Sequence, residues 1–113
     1  MSMSAEMRLA SYGTLAPGRE NHAQVADLQG TWVEGTVRGR ATVNPSGRWA
    51  GYPGFVLDPH AGLVEVFIFE SADLPGHWPH VDAFEGEAYR RVVTAAKTPR
   101  GSIEVSIYEL KQD

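Results

Sequence analysis

Hydrophobic and polar residues alternate most regularly between positions 31 and 43. One face of this segment would carry Val33, Gly35, Val37, Gly39, Ala41 and Val43, and the other Glu34, Thr36, Arg38, Arg40 and Thr42. A period of two residues predicts a long β-strand that is buried on one face. Two of the inward positions are glycines, which indicates a bend or the close approach of another backbone at Gly35 and Gly39.

Shorter apolar segments, separated by turn residues, predict five more strands. They span residues 8–12, 55–57, 63–69, 89–97 and 103–110. In the last of them Ile103, Val105 and Ile107 alternate with polar residues. The turn before it, residues 98–101, contains a proline and a glycine and is typical of a hairpin.

Two segments have the signals of helices. In the first, Asn21 is placed to cap a helix that runs through Leu28, with Gln24 as its capping-box partner and Gly30 closing it. The second spans residues 73–84 and has prolines near its start. The resulting order, β-α-β-β-β-α-β-β, predicts an α+β fold with a small, strongly curled mixed β-sheet or barrel and two helices, in one domain over residues 1–113.

The composition excludes several classes of function. The 113 residues include no cysteine, so disulfides, thiolate metal sites and a cysteine nucleophile are excluded. A net charge of −4 argues against nucleic acid as a partner. The most apolar run, residues 66–69, is far shorter than the roughly 20 residues of a membrane helix, and the first residues lack the apolar core of a signal peptide. We expect a cytoplasmic protein without membrane association or an obligate protein partner.

The loop Tyr12-Gly13-Thr14-Leu15, hereafter the 12–15 loop, leaves the first predicted strand. Glycine allows a sharp turn in which consecutive N–H groups point the same way, and such a nest attracts a carboxylate or phosphate. The alternative is an ordinary turn between a strand and a helix. The loop lacks the Gly-Lys-Ser/Thr ending of a nucleotide phosphate loop.

Glu85 is placed where the second helix should end, with Gly86 after it. A carboxylate there feels the negative end of the helix dipole. Burial would add to that effect, and both would raise its pKa toward the range of a proton shuttle at neutral pH. The alternative is a solvated surface acid, which is what most carboxylates are.

Two further patterns are open to more than one interpretation. His77 and His80, with Asp82 nearby, have a spacing that could present two imidazoles to a metal, but no third ligand follows at a useful distance. Helix capping, or packing beside Trp78, is the expected role of the two histidines, and neither a metal nor a cofactor is expected. The segment from Tyr52 to Phe55 could be a rigid aromatic lip of a pocket or a plain turn before a strand.

Taken together, these motifs resemble the gamma-glutamylcyclotransferase-like family, which includes the avirulence-induced-gene proteins of plants. The matching segments are the 12–15 loop, Pro17-Gly18 with Asn21-His22, Tyr52-Pro53-Gly54, and Asp82-Ala83-Phe84-Glu85-Gly86 with Tyr89-Arg90-Arg91. They cover most of the chain in the family's order. One departure is Ala16-Pro17, where related sequences often carry a basic residue.

The resemblance implies a small barrel with a pocket at one end, and an enzyme that cyclises a small-molecule gamma-glutamyl substrate to 5-oxoproline without a cofactor. By that similarity Glu85 is the catalytic acid and base. The backbone of Tyr12, Gly13, Thr14 and Leu15 would hold the substrate's α-carboxylate, and Tyr89 would line or support the pocket. Two alternatives stay open: a non-enzymatic small-molecule-binding module, and an enzyme in which Glu85 activates water.

Overall fold

The computed structural model describes residues 4–47 and 49–111. Within these ranges the chain forms six strands, one α-helix and three short 3-10 helices. The strands are β1 (Arg8–Ser11), β2 (Thr31–Val43), β3 (Pro53–Leu57), β4 (Leu63–Glu70), β5 (Tyr89–Thr98) and β6 (Gly101–Leu110), and the helix is α1 (Trp78–Glu85). The 3-10 helices are Ala5–Met7, His22–Gln24 and Leu74–Gly76.

Five of the strands close into a barrel in the order β2-β4-β1-β6-β5, with β5 returning to β2. The β1–β6 pair is parallel and the other pairs are antiparallel. The predicted α+β class and the curled mixed sheet or barrel are therefore confirmed. The difference from the prediction is that only one of the two expected helices is an α-helix.

The barrel closes through a narrow seam. Strands β2 and β5 pair only at Thr36↔Lys97 and Val37↔Ala96, whereas β5 and β6 pair along their whole length. Beyond the seam, β2 leaves the barrel and pairs with β3, from Gly39↔Leu57 to Val43↔Pro53. The end of β2 therefore does not follow the predicted burial pattern, and Val43 is 58% exposed.

The two inward glycines of β2 allow the close contacts that the sequence predicts. A Cβ atom on Gly39 would lie 2.3 Å from the ring of Phe55, and one on Gly35 would lie 2.7 Å from the carbonyl oxygen of Lys97. Real Cβ atoms do not come so close to neighbouring atoms. Glycine at these positions therefore lets β2 approach β3 on one side and β5 on the other.

Alternate positions of the strands supply two hydrophobic cores. One core contains Ala10, Val37, Phe55, Val66, Ile68, Ala96, Val105 and Ile107. The other packs α1 and the long loops against the barrel and includes Leu9, Leu15, Val25, Phe69, Leu74, Trp78, Val81, Tyr89 and Tyr108. Successive residues such as Leu9 and Ala10 belong to different cores because side chains alternate across a strand. The second core fixes the end of α1 next to the loop after β1.

The first predicted helix is wrong. Residues 21–30 contain a single 3-10 turn, His22–Gln24, and the side chain of Asn21 does not cap it. Instead, the backbone N–H of Asn21 donates to the carbonyl oxygen of Thr14 at 2.9 Å, and the side-chain oxygen of Gln24 bonds Nε2 of His80 at 2.8 Å. These tertiary bonds use the groups that a helix N-terminus would need, and so short a segment gains little from helix formation. Gly30 has no helix to close and instead lies against β4, where a Cβ on it would be 2.2 Å from the carbonyl oxygen of Glu70.

The second helix forms, but in two parts. A 3-10 turn at Leu74–Gly76 precedes α1, and Pro79 lies in the first turn of α1, where a missing N–H costs nothing. Gly86 ends α1 with φ of 84°, a left-handed conformation that favours glycine. Among the helices of the described residues, none has the length and hydropathy needed to span a bilayer.

Candidate active site

A narrow pocket, with a cavity volume of about 40 Å³, opens between the loop after β1, the loop before β3 and the C-terminal end of α1. All six residues that the sequence singled out for the site line this pocket: Tyr12, Gly13, Thr14, Leu15, Glu85 and Tyr89. Segments more than 70 residues apart in the chain thus meet here. The structure therefore brings the candidate residues together.

The 12–15 loop is held by hydrogen bonds of its own. The N–H of Gly13 donates to Ser11 Oγ at 3.3 Å, and Asn21 bonds both the hydroxyl and the carbonyl oxygen of Thr14. In the described part of the chain, no acceptor takes the backbone N–H of Thr14 or Leu15. These two amides are the ones that an anionic ligand could use.

Gly13 does not act as expected. Its φ is not positive, and a Cβ atom there would meet only Pro53, at 3.8 Å, which is an ordinary contact. The expectation that this glycine provides a special backbone turn is therefore wrong. A larger β-branched side chain at this position would project toward Pro53, which also lines the pocket.

Glu85 is half-buried at the last residue of α1 and faces the pocket. No donor in residues 4–47 or 49–111 hydrogen bonds or pairs with its carboxyl group. Burial, and second to it the negative charge of Asp82, raise the pKa of Glu85 to about 7. The direction agrees with the sequence expectation, but the second cause after burial is the neighbouring carboxylate, whereas the sequence suggested the helix dipole.

Two tyrosines form the pocket wall next to Glu85: Tyr12, which is half-buried, and Tyr89, which is buried. The hydroxyl of Tyr12 donates to the carbonyl oxygen of Tyr108 at 2.6 Å, and that of Tyr89 donates to the carbonyl oxygen of Pro53 at 2.9 Å. Burial raises the pKa of both phenols, and the charge of Glu85 adds to the effect. Both side chains therefore stay neutral, with their hydroxyl hydrogens bonded inside the protein. Both side chains line the pocket.

An ion pair lies one helical turn before Glu85. Asp82 accepts two hydrogen bonds from the guanidinium of Arg91, at 3.0 and 3.1 Å, and one from the hydroxyl of Tyr108 at 2.6 Å. Burial alone would raise the pKa of Asp82, but the bonds from Arg91 and Tyr108 hold it below its usual range. Asp82 is therefore ionised at neutral pH, whereas Glu85 is divided between its two forms.

Sequence reasoning missed part of the pocket wall. Trp49 packs edge-on against Tyr52, with ring centroids 5.0 Å apart, and its indole N–H donates to the carbonyl oxygen of Phe84 at 3.2 Å. Tyr52 and Pro53 also line the pocket, which favours the aromatic lip over a plain turn. Trp49 lies in an irregular loop and Tyr108 in the last strand, so no local spacing connected either residue with Glu85.

The two histidines near the start of α1 serve the fold. Their rings lie 4.8 Å apart, and His77 and His80 bond the carbonyl and the side-chain oxygen of Gln24. His77 is the N-terminal cap residue of α1, but its side chain makes no capping bond, so the expected capping role is wrong. Across the described residues, no group of three or more histidine, aspartate or glutamate side chains could hold a metal ion.

Solved structures share this fold. The chain is similar to YkqA from Bacillus subtilis, with 22% identity and a TM-score of 0.71 over 93% of this chain and 36% of that protein. It is similar to an AIG2-like protein from Mus musculus, with 20% identity and a TM-score of 0.70 over 91% of this chain and 76% of that one. A similar fold occurs in Kluyveromyces lactis allophanate hydrolase, at 15% identity and a TM-score of 0.68, over 94% of this chain and 17% of that protein.

The chain thus spans about a third of the Bacillus protein and about three quarters of the mouse protein. At these identities the likeness concerns the fold. No curated protein matches the sequence. The model of the family described as "Gamma-glutamyl cyclotransferase, AIG2-like" matches residues 9–113, nearly the whole chain. With the 12–15 loop and Glu85 on one pocket of a closed mixed barrel, the chain belongs to the AIG2-like gamma-glutamyl cyclotransferase family.

Proposed function

We propose that this protein is a gamma-glutamyl cyclotransferase, which converts a gamma-glutamyl amine or amino acid to 5-oxoproline and releases the free amine. The observation that supports this most is the position of Glu85, half-buried on the same pocket as the 12–15 loop, with a pKa of about 7. Such a group can both accept and donate a proton at neutral pH.

The proposed reaction is an intramolecular aminolysis. The α-amino nitrogen of the substrate attacks its own γ-carbonyl carbon, a C–N bond forms, and a five-membered lactam closes. The C–N bond to the departing amine then breaks. The attacking nitrogen loses two protons, one before the attack and one after it, and the departing nitrogen takes up both. The attacking atom belongs to the substrate, so the protein has to fold the substrate, move protons and stabilise an oxyanion.

Glu85 is suited to moving the proton. An α-amine has a pKa near 8 and is mostly protonated at neutral pH, so it must lose a proton before it can attack. Transfer to a carboxylate of pKa about 7 costs about 1 kcal/mol, whereas transfer to an ordinary glutamate costs about 5 kcal/mol. Glu85 then returns the proton to the departing nitrogen. A placed acid and base of this kind contributes about 10² to 10⁴-fold to a rate.

The 12–15 loop is suited to folding the substrate. The backbone amides of Thr14 and Leu15 are the donors proposed for the α-carboxylate, since the Gly13 amide is bonded to Ser11. Holding the carboxylate there fixes the α-carbon, so that the amine and the γ-carbonyl meet. Good intramolecular alignment can lower a barrier by about 7–11 kcal/mol.

The direct test incubates the purified protein with a panel of gamma-glutamyl amines and amino acids in ¹⁸O-labelled water. We expect 5-oxoproline without the label from wild type, and at least 100-fold slower release from Glu85→Gln with ligand affinity retained. Labelled glutamate as the product would favour the alternative in which Glu85 activates water. Ligand binding with no product from any substrate would favour a binding module.

The loop is tested by a matched pair of variants. Gly13→Ala adds a Cβ that the structure accommodates 3.8 Å from Pro53, so affinity for a gamma-glutamyl ligand should stay near wild type. Gly13→Val adds methyl groups beside the pocket and should weaken that affinity at least tenfold, as titration calorimetry would measure. Equal affinities of the two variants would argue against ligand binding at the loop.

A further inference from the structure

The carboxylate of Asp82 links the end of α1 to the barrel wall. It accepts two hydrogen bonds from Arg91 on β5 and one from Tyr108 on β6, although Asp82 itself does not line the pocket. Asp82 precedes Glu85 by three residues, so the two side chains lie on the same face of the helix, about one turn apart. The carboxylate of Asp82, one helical turn before Glu85, is thus hydrogen bonded to two strands.

The partners of Asp82 are themselves fixed. The guanidinium of Arg91 lies over the ring of Trp78, 4.4 Å from its centroid. The ring of Tyr108 packs edge-on against the same indole, and its backbone carbonyl accepts the hydroxyl of Tyr12 from the 12–15 loop. One residue, Tyr108, therefore contacts both the helix that carries Glu85 and the loop across the pocket from it.

The helix needs such a tie. It has eight residues, and isolated helices shorter than about 12 residues are marginal in water. It ends at Gly86, which leaves the helical conformation at once. The direction in which Glu85 points is therefore set by contacts of the last turn with the barrel. In that turn, Asp82 makes side-chain hydrogen bonds to two different strands.

We propose that Asp82 is a positioning residue: bonded to Arg91 and Tyr108, it docks the last turn of α1 on the barrel and holds the Glu85 carboxyl group over the pocket. The effect on turnover rests on the function proposed above. The effect on Glu85 itself does not, and it can be measured without a substrate.

The charge of Asp82 gives a second, separable effect. The titratable groups around Glu85 in the described structure are Tyr12, Tyr89 and Tyr108, from the barrel side, and Asp82 on the helix. The three phenols are neutral, so Asp82 is the charged group among these four. Its negative charge adds to burial in raising the pKa of Glu85. Removing the charge should lower that pKa, and releasing the helix end should lower it further by exposing Glu85 to water.

The experiment compares three variants of the whole chain. Asp82→Asn removes the charge and keeps an oxygen that can accept the Tyr108 hydroxyl, whereas Asp82→Ala removes every bond. Glu87→Gln removes an exposed carboxylate just beyond the helix and serves as the matched control. Carboxyl ¹³C NMR titration follows Glu85, identified by the signal that Glu85→Gln lacks, and kcat and KM are measured for 5-oxoproline release.

We expect the pKa of Glu85 to fall in Asp82→Asn and to fall further in Asp82→Ala, with no change in Glu87→Gln. We expect kcat to drop at least tenfold in Asp82→Ala while KM changes less than threefold, because a misplaced group loses rate more than binding. If Asp82→Ala does not fold, Tyr108→Phe is measured in its place. That variant removes the hydrogen bond from Tyr108 to Asp82 and leaves the charge of Asp82. We then expect a lowered kcat with an unchanged KM.

Several results would overturn the proposal. One is a Glu85 titration in Asp82→Ala, or in its Tyr108→Phe replacement, that matches wild type with kcat unchanged. Another is an equal shift in Glu87→Gln, which would reduce the effect to net charge. If wild type itself releases no 5-oxoproline, the proposed function fails, and the graded titration shifts alone decide the role of Asp82.

Discussion

Two half-buried glutamates of this barrel have pKa shifts of opposite sign. Glu70 ends β4, its side chain is 10% exposed, and it accepts bonds from Arg8 at 3.1 Å and from Arg100 at 2.7 Å. Glu85 ends α1 at the pocket. For both, burial is the largest single influence and raises the pKa, yet the pKa of Glu70 is lowered and that of Glu85 is raised to about 7.

The difference comes from the charges placed beside each carboxyl group. Two guanidinium groups outweigh the desolvation of Glu70, while a second carboxylate adds to the desolvation of Glu85. Glu70 is therefore ionised, and its ion pairs with Arg8 and Arg100 link β4 to other segments of the barrel. Glu85 is held in an environment that stabilises its charged form poorly, which is a cost to folding and a condition for moving protons at neutral pH.

The largest expected difference between the two is in turnover. Glu85→Gln should slow 5-oxoproline release by about 10² to 10⁴-fold, because the amide cannot take up a proton. Glu70→Gln should stay within about threefold of wild type, since Glu70 does not line the pocket. Both rates come from the same assay, and a comparable loss in the two variants would contradict the separation of roles.

The next largest difference between Glu85 and Glu70 should be in how the stability of the fold depends on pH. The folded-state pKa of Glu85 lies above its unfolded value of 4.5, so the folded state binds more protons and loses stability as the pH rises from about 4.5 to about 7. Glu85→Gln removes this loss. The variant should match wild type at pH 4 or below and exceed it at pH 8 by up to about 3 kcal/mol, reduced by whatever solvent screening removes. Urea unfolding at the two pH values measures this.

Glu70→Gln should change the unfolding free energy in the opposite direction, and by a smaller amount, than Glu85→Gln. Its folded-state pKa is lowered, so its charge stabilises the fold above the unfolded pKa, and this contribution is lost as the pH falls. We expect the variant to lose about 1 to 2 kcal/mol of unfolding free energy at pH 7, because Arg8 is left largely buried without its anion. A deficit that does not shrink below about pH 4 would point to packing instead of charge.

The smallest effect should come from Arg100→Gln. The Arg100 side chain is 63% exposed, and exposed ion pairs contribute less than about 1 kcal/mol. The same variant should nevertheless raise the pKa of Glu70 measurably, since one of its two guanidinium partners is lost. NMR titration of Glu70 tests this, and an unchanged titration would mean that Arg8 alone sets its charge.

The strands of the barrel were predictable because their signals are local. The alternation along β2 and the hairpin between β5 and β6 can be recognised within a dozen residues, and the structure has both. The helix at residues 21–30 failed because Asn21 and Gln24, good capping residues in isolation, use their capping groups to bond Thr14 and His80 instead. Propensity cannot report a competing partner that is distant in sequence.

In the candidate site, too, the residue with a local signal could be predicted and the contacts between distant residues could not. Glu85 before Gly86 carries a local helix-end signal, so its place could be expected. The tie from Asp82 to Tyr108 spans 26 residues, and the closeness of Trp49 to Phe84 spans 35. These contacts follow from the closure of the barrel, which no short segment encodes.

The short seam between β2 and β5 determines where the barrel should open locally. Two residue pairs close it, and open hollows of about 350 and 240 Å³, both lined by Thr36 and Lys97, lie beside it. Amide hydrogen exchange should therefore begin at this seam, well before the long β5–β6 ladder exchanges. Neither hollow shares a lining residue with the Glu85 pocket, so we expect opening at this seam to leave the pocket intact.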